Sequence, residues 1–353
     1  MDSLRDPAWG QEHAMELLSR IYSETEAWSR YADLPIQEFT RLPIVEYRQV
    51  KQLLRAVAQG EYHVLLPAPP VAYALSSGST GSPKAIPVSN ADIELRATSA
   101  ARAMVAYAEL RGEEFLEGVC LSIHPSPVMM YAGSGPSRAP CSHVSAIHAA
   151  YIVPKLGVDV APPPSFFREL SAPLTMREWM ELFKRVYEAT RGLKLTFTVG
   201  SPIPLYFLGR YLMKAGSPLS LQVMFLAGVP DIHWAYAPSL RKLYGGADIF
   251  EVYGAAEGSF ASQLTLKPGL APMYDLYVLE VEAGGKTKML HELKAGQSGC
   301  LIASTPLAPR YRMGDVVLCL KDGVIFRVVG RKRMRTGVLM AAERAARALS
   351  ALF

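Results

Sequence analysis

The sequence predicts an α/β protein in which mixed sheets are flanked by helices and a smaller antiparallel β unit is appended. Three observations support this. Between positions 118 and 253 short apolar runs alternate with stretches of helical periodicity, the pattern of strands joined by crossover helices in a sheet of parallel character. From Met273 onward the pattern changes to short alternating strands without helices between them. The 353 residues, half of them hydrophobic and a fifth charged, suffice for a sizeable core.

The N-terminal 60 positions read as helices, with Met15, Leu17, Leu18 and Ile21 at helical spacing. An extended piece at 42–45 precedes a helix over 46–58, whose face carries Val50, Leu53, Leu54 and Val57. The apolar run 64–70 reads as a short strand, and 71–75 as another. After a Ser/Gly-rich stretch and Pro87, helical character returns over 90–110, with Ser89 or Asn90 as N-cap. Strands are expected at 118–123, 148–153, 195–199, 221–226 and 249–253, and helices at 176–190, 204–215 and 237–244. The β-rich part then offers strands at 274–281, 287–293, 299–305, 315–320 and 324–328, with Lys321-Asp322-Gly323 as a hairpin turn between the last two. Most of the chain, residues 1–330, is expected to form one lobe, with its β-rich part at about 273–330 and a short tail at 331–353.

Composition excludes several classes. The net charge of +5 suits an anionic ligand but lacks the dense basic face of a nucleic-acid binder, so no nucleic-acid partner is expected. Cys120, Cys141, Cys300 and Cys319 are scattered without metal-ligand or disulfide-framework spacing. The polar N-terminus is no signal peptide, and no apolar stretch reaches the roughly 18–20 residues of a membrane span. A cytoplasmic protein is the expectation.

The most informative stretch is SSGSTGSPK at 76–84. Gly78 and Gly81 permit a tight turn that points backbone N–H groups at an anion. The hydroxyls of Ser76, Ser77, Ser79 and Thr80 can donate to phosphate oxygens, and Lys84 adds a positive charge at the far end. The stretch is no Walker motif, because GK[ST] is absent. A plain Ser/Gly turn is the bland alternative, but this run follows an apolar strand directly and ends in Pro-Lys, which linkers seldom do.

That stretch resembles the signature of the ANL superfamily of adenylating enzymes. The AIPVS that follows at 85–89, and LPIVEY at 42–47, resemble one branch, the auxin-responsive family of acyl acid amido synthetases. Three further segments match in order. YGAAEG at 253–258 resembles the superfamily's YGxxE, which implies that Tyr253 and Gly254 lie at the nucleotide and that Glu257 helps hold Mg²⁺ on ATP. YRMGD at 311–315 resembles YRxGD, which implies that Asp315 binds the ribose hydroxyls. FRVVGR at 326–331 resembles the junction between the two lobes, which implies a nucleotide contact for Arg331. Gly228, in FLAGVP at 225–230, stands where relatives carry the adenine-binding segment. Read alone, each of these is equally a turn or strand end with a solvated charge.

The resemblance implies an ATP-dependent ligase in which Lys84 and Glu257 are catalytic and ATP and Mg²⁺ are cofactors. A small carboxylic acid would be adenylated and transferred to an amino acid, or to CoA if the chain is an acyl-CoA ligase. The expected acid pocket lies around 124–131 and 199–206, where His124 is either a pocket residue or a structural one. The sequence departs from the family after Arg331. The 22 positions that follow carry Arg333 near the place of the usual acidic hinge residue and end Ala/Arg-rich, where relatives carry a C-terminal lobe with an assisting lysine. The alternatives are a truncated chain, a separate subunit supplying that lobe, and a non-catalytic protein that binds nucleotide or acid.

Overall fold

The computed structural model describes residues 2–76, 84–168, 170 and 175–331. The parallel sheet follows from continuous apolar runs such as VMFL, whose four residues are all buried as a strand covered on both faces requires. Strands β1 (Ala72–Leu75), β2 (Ala85–Val88), β3 (Val119–Leu121), β4 (Met130–Ala132), β5 (Ala139–His143), β6 (Val160–Ala161), β7 (Leu195–Gly200), β8 (Val223–Leu226), β9 (Asp248–Ala255), β10 (Gly258–Ser262) and β11 (Ala271–Pro272) form two of the three sheets. The larger runs β11-β10-β9-β8-β7-β3-β6, parallel from β6 to β9 and antiparallel beyond. The smaller runs β2-β1-β5-β4. The third, entirely antiparallel, holds β12 (Val278–Ala283), β13 (Lys286–Met289), β14 (Ser298–Thr305), β15 (Ala308–Lys321) and β16 (Ile325–Arg331) in the order β13-β12-β14-β15-β16.

Helices Met176–Thr190, Pro202–Lys214 and Ala237–Leu243 cover one face of the large sheet through Leu182, Phe183, Leu205, Leu208 and Leu240. Helix Asn90–Arg111, capped by the Ser89 hydroxyl accepting from the Asp92 N–H, covers the other through Ala103, Met104 and Tyr107. The antiparallel sheet shares one core with the N-terminal helices. Gln11, on helix Pro7–Ser23, donates to the Tyr274 and Tyr277 carbonyls at 2.6 and 2.7 Å and accepts from the Leu279 N–H at 2.7 Å. A buried amide with these partners satisfied fixes the helix in register with β12.

Two expected strands are absent. Residues 148–153 form a π-helical turn, His148–Ile152, running into a 3₁₀ turn. A short buried apolar run fits either period, and here it packs beside helix Asn90–Arg111. Residues 64–70 place Leu65 and Leu66 in the core without joining a sheet. Three prolines in that run cannot donate to a ladder. Conversely β2, β4, β5 and β10 carry no alternation strong enough to announce them.

Candidate nucleotide and acid site

The carboxyl ends of parallel strands share one edge, the usual place for a ligand in an open α/β sheet. Here β3, β7, β8 and β9 are consecutive neighbours, so their ends present His124, Ser201, Gly228 and Tyr253 in a row. At ~4.8 Å per strand the row spans about 14 Å. Gly228 sits at φ +92°, a left-handed conformation that glycine adopts without steric penalty.

The Ser/Gly stretch joins two antiparallel strands. The Ser76 N–H donates to the Lys84 carbonyl at 2.9 Å, and the Lys84 N–H donates to Ser76 Oγ at 3.0 Å, closing the loop at its base. Ser77, Gly78, Ser79, Thr80 and Gly81 lie outside the described residues. The ammonium of Lys84 lies 3.5 Å from the ring centroid of Tyr47, the first residue of helix Tyr47–Ala58. Burial lowers its pKa, Glu257 draws it back up, and Arg331 opposes that.

Glu257 lies in the two-residue turn between β9 and β10. Burial raises its pKa, while its own N–H, Lys84 and Arg331 hold it down. The glutamate that sequence alone would leave on a solvated turn is therefore only partly exposed, with Lys84 and Arg331 near enough to favour its charged form. Asp315 is buried, and both its oxygens accept: Oδ1 from Arg331 Nε at 2.5 Å and Oδ2 from the Tyr253 hydroxyl at 2.7 Å. Four chain segments far apart in sequence thus bring Lys84, Tyr253, Glu257, Asp315 and Arg331 together. Gly254 belongs to the hairpin itself, since a Cβ there would lie 2.9 Å from the Gly258 carbonyl oxygen. Past Arg331 the tail, Arg333 included, lies outside the described residues.

His124, just past the end of β3, is buried and packs against Phe167 with ring centroids 4.1 Å apart and the rings inclined at 42°. Its Nδ1 pairs with the Pro125 carbonyl at 2.6 Å, its Nε2 has no hydrogen-bond partner among the described residues, and burial lowers its pKa to about 4.

Sequence reasoning missed Tyr47 as a neighbour of Lys84. The segment before it adds an edge pairing to β15: the Val45 N–H donates to the Arg310 carbonyl at 3.0 Å, and the Arg312 N–H to the Val45 carbonyl at 2.9 Å. The two quoted motifs LPIVEY and YRMGD are therefore physical neighbours. Arg312 of the second faces Glu282 and Glu46 rather than Asp315.

A second polar cluster lies one step along the same strands. Glu251 stands two residues before Tyr253 on β9, and Arg327 four before Arg331 on β16. Arg327 pairs with Asp231 and lies 3.9 Å over Trp234. His233 Nε2 pairs with Gln263 Oε1 at 2.7 Å and lies 3.9 Å from Glu251. Burial, with Asp231 adding to it and Arg327 opposing, raises the Glu251 pKa to about 7. The folded state thus holds a proton on Glu251 that the unfolded chain releases near the ordinary value of 4.5. Its contribution to stability is fully present below about pH 4.5 and is lost as pH rises through about 7. Asp231, Arg327 and His233 face the same group, and the substitution Glu251→Gln isolates its share. Urea denaturation is expected to give the variant a stability advantage over wild type at pH 8 that vanishes toward pH 5; an advantage independent of pH would contradict this.

Residues 5–139 match the GH3 family N-terminal domain. Among solved structures, the GH3.15 acyl acid amido synthetase in complex with 2,4-DB is similar at a TM-score of 0.73 and 15% identity, covering 92% of this chain and 68% of that one. A 2-hydroxyisobutyryl-CoA ligase in complex with 2-HIB-AMP and CoA is similar at 0.60 and 15%, covering 94% of this chain and 75% of that one. The same ligase in its thioesterification state gives 0.64 and 16%, covering 92% and 68%. No curated protein matches by sequence. The fold is that of the adenylate-forming enzymes. The motif-based resemblance to their acyl acid amido synthetase branch agrees with these matches: the N-terminal residues match that branch's domain model, and the similar structures are an acyl acid amido synthetase and a CoA ligase.

Among the described residues, no helix is long and apolar enough to cross a membrane. Nor, among them, could any group of three or more His, Cys, Asp or Glu side chains hold a metal. A single carboxylate at Glu257, close to Lys84 at the end of the Ser/Gly stretch, fits Mg²⁺ carried by ATP, since that ion takes one or two protein carboxylates and completes its shell with phosphates and water.

Proposed function

We propose that this chain activates a small organic acid with MgATP, forming an acyl-adenylate and pyrophosphate, and that the acyl group then passes to an amino acid. The observation that carries this reading is the convergence of Lys84, Glu257, Arg331, Asp315 and Tyr253 beside the carboxyl edge of the large sheet. The Ser76 hydroxyl, and the hydroxyls and backbone N–H groups of Ser77, Gly78, Ser79, Thr80 and Gly81, suit the phosphates. Asp315 suits the ribose, since each carboxylate oxygen keeps a lone pair beyond the one bond it accepts here. Gly228 and Tyr253 flank the place for the base, with Gly254 following in the strand, and the row from Gly228 toward His124 suits the acid.

In the first step an oxygen of the substrate carboxylate bonds to the α-phosphorus, while the bond from that phosphorus to the bridging oxygen breaks and its electron pair leaves with pyrophosphate. Lys84 and Arg331 stabilise the negative charge on the phosphoryl oxygens, and Glu257 would hold the magnesium, which when bound neutralises phosphate charge. In the second step an amine nitrogen attacks the acyl carbon, the bond to AMP breaks, and the amine releases a proton. The similarity to a CoA ligase supports a second reading with a thiol as acceptor. No nucleic acid or membrane enters either reading, and a cytoplasmic setting suits both.

Acid-dependent exchange of labelled pyrophosphate into ATP, measured across a panel of carboxylic acids, tests this. At least one acid is expected to support Mg²⁺-dependent exchange, and amino acids against CoA as acceptors then separate the two readings. Intact MgATP binding with no exchange for any acid would contradict catalysis and leave a binding protein.

A further inference from the structure

Arg96 is among the largest side chains in the molecule that are fully buried, 2% exposed, and the mechanism above does not use it. It lies in the second turn of helix Asn90–Arg111, and its guanidinium is shared among three elements. Nε donates to Asp92 Oδ2 at 2.7 Å, one helical turn earlier. Nη1 donates to the Ala255 carbonyl at 2.9 Å and stands 3.4 Å from His148 Nε2. Nη2 donates to the Ala256 carbonyl at 2.8 Å. Ala255 and Ala256 are the two residues before Glu257.

A peptide unit is planar, so fixing a carbonyl fixes the N–H on its opposite side. The carbonyl that Nη2 holds belongs to the Ala256–Glu257 peptide, whose N–H is that of Glu257. Arg96 therefore sets the direction in which that N–H points, and the carboxylate of Glu257 lies within reach of it. A planar fork suits three acceptors in fixed directions, which an ammonium on a flexible stem does not reproduce. A burial this complete requires a partner charge, which Asp92 supplies.

We infer that Arg96 is a positioning residue for Glu257: it clamps the β9–β10 turn so that the Glu257 carboxylate faces the metal-bearing phosphates of ATP. This rests on the proposed function, and the test separates the two. Binding of ATP to the full chain is measured by calorimetry with Mg²⁺ and with EDTA. The variants are wild type, Glu257→Gln, Arg96→Lys, and the pair Asp92→Leu with Arg96→Met, which removes both buried charges together. Thermal melts accompany each.

Wild type is expected to bind ATP more tightly with Mg²⁺. Arg96→Lys and the paired variant are expected to lose about tenfold in MgATP affinity, with less than twofold change in EDTA, and adding Glu257→Gln to either should cost nothing more. A role confined to folding would lower the melting temperature and weaken both forms of ATP alike, which overturns the inference. So would MgATP affinity within twofold of wild type in Arg96→Lys. Absence of ATP binding by wild type would instead overturn the proposed function.

Discussion

Replacing Lys84 by methionine is expected to slow acid-dependent pyrophosphate exchange by about 10²- to 10³-fold, the usual loss when one preorganised group that stabilises transition-state charge is removed. Methionine keeps most of the apolar stem that lies against Tyr47 and removes only the cation. Of the two cations beside Glu257 among the described residues, Arg331 then remains, and that guanidinium already bonds Asp315 at 2.5 Å. Phosphate charge that develops on the loop side is left without a counter-charge. The loss should fall on kcat more than on the KM for ATP, because the ribose and base contacts are untouched. Lys84→Arg should recover only part of the rate, since a planar fork does not sit over a ring and a phosphate as a compact ammonium does. Steady-state exchange at saturating acid checks this, and a loss below tenfold would remove Lys84 from the chemistry.

Replacing Arg310 by methionine is expected to destabilise the fold by about 3–5 kcal/mol, the cost of leaving one charge of a buried pair alone. Arg310 and Glu280 are only 3% and 1% exposed at their side chains, and their two bonds measure 2.8 and 2.6 Å. Burial raises the pKa of Glu280 and Arg310 opposes it, so without the arginine the carboxyl is held protonated or strongly disfavoured. Arg310 also donates to the Leu42 carbonyl, while its own carbonyl accepts from Val45. The segment that delivers Tyr47 to Lys84 is therefore anchored by this pair. The double variant Glu280→Leu with Arg310→Met should recover most of the stability, because no unpaired charge remains. Urea denaturation of the two variants beside wild type decides it: equal destabilisation by the single and double variants would show that the pair's charges are not the cause.

Much of this was legible in the residues, for physical reasons. The apolar runs at 195–199 and 221–226 announced parallel strands because both faces are covered, and the helix Met176–Thr190 lies where its periodicity placed it. The run at 148–153 misled because a short, mostly apolar run does not distinguish a strand from a helical turn. Glycine at 254 read as a ligand contact, and the hairpin's own close approach also calls for it. At the site, Lys84, Glu257, Asp315 and Arg331 were recognised by motif, but what joins them was hidden. The bond from Tyr253 to Asp315 links residues 62 apart, and the clamp from Arg96 to Ala256 links residues 160 apart. No local pattern carries a contact of that range, and a lone arginine in a helix reads as a solvated charge until its burial is seen.

A crystal structure of the chain with Mg²⁺ and a non-hydrolysable ATP analogue tests the central claim most directly. The account predicts the triphosphate between Lys84 and Glu257, with the ribose hydroxyls on Asp315 and the base between Gly228 and Tyr253. A nucleotide bound elsewhere, or none at saturating concentration, would contradict it.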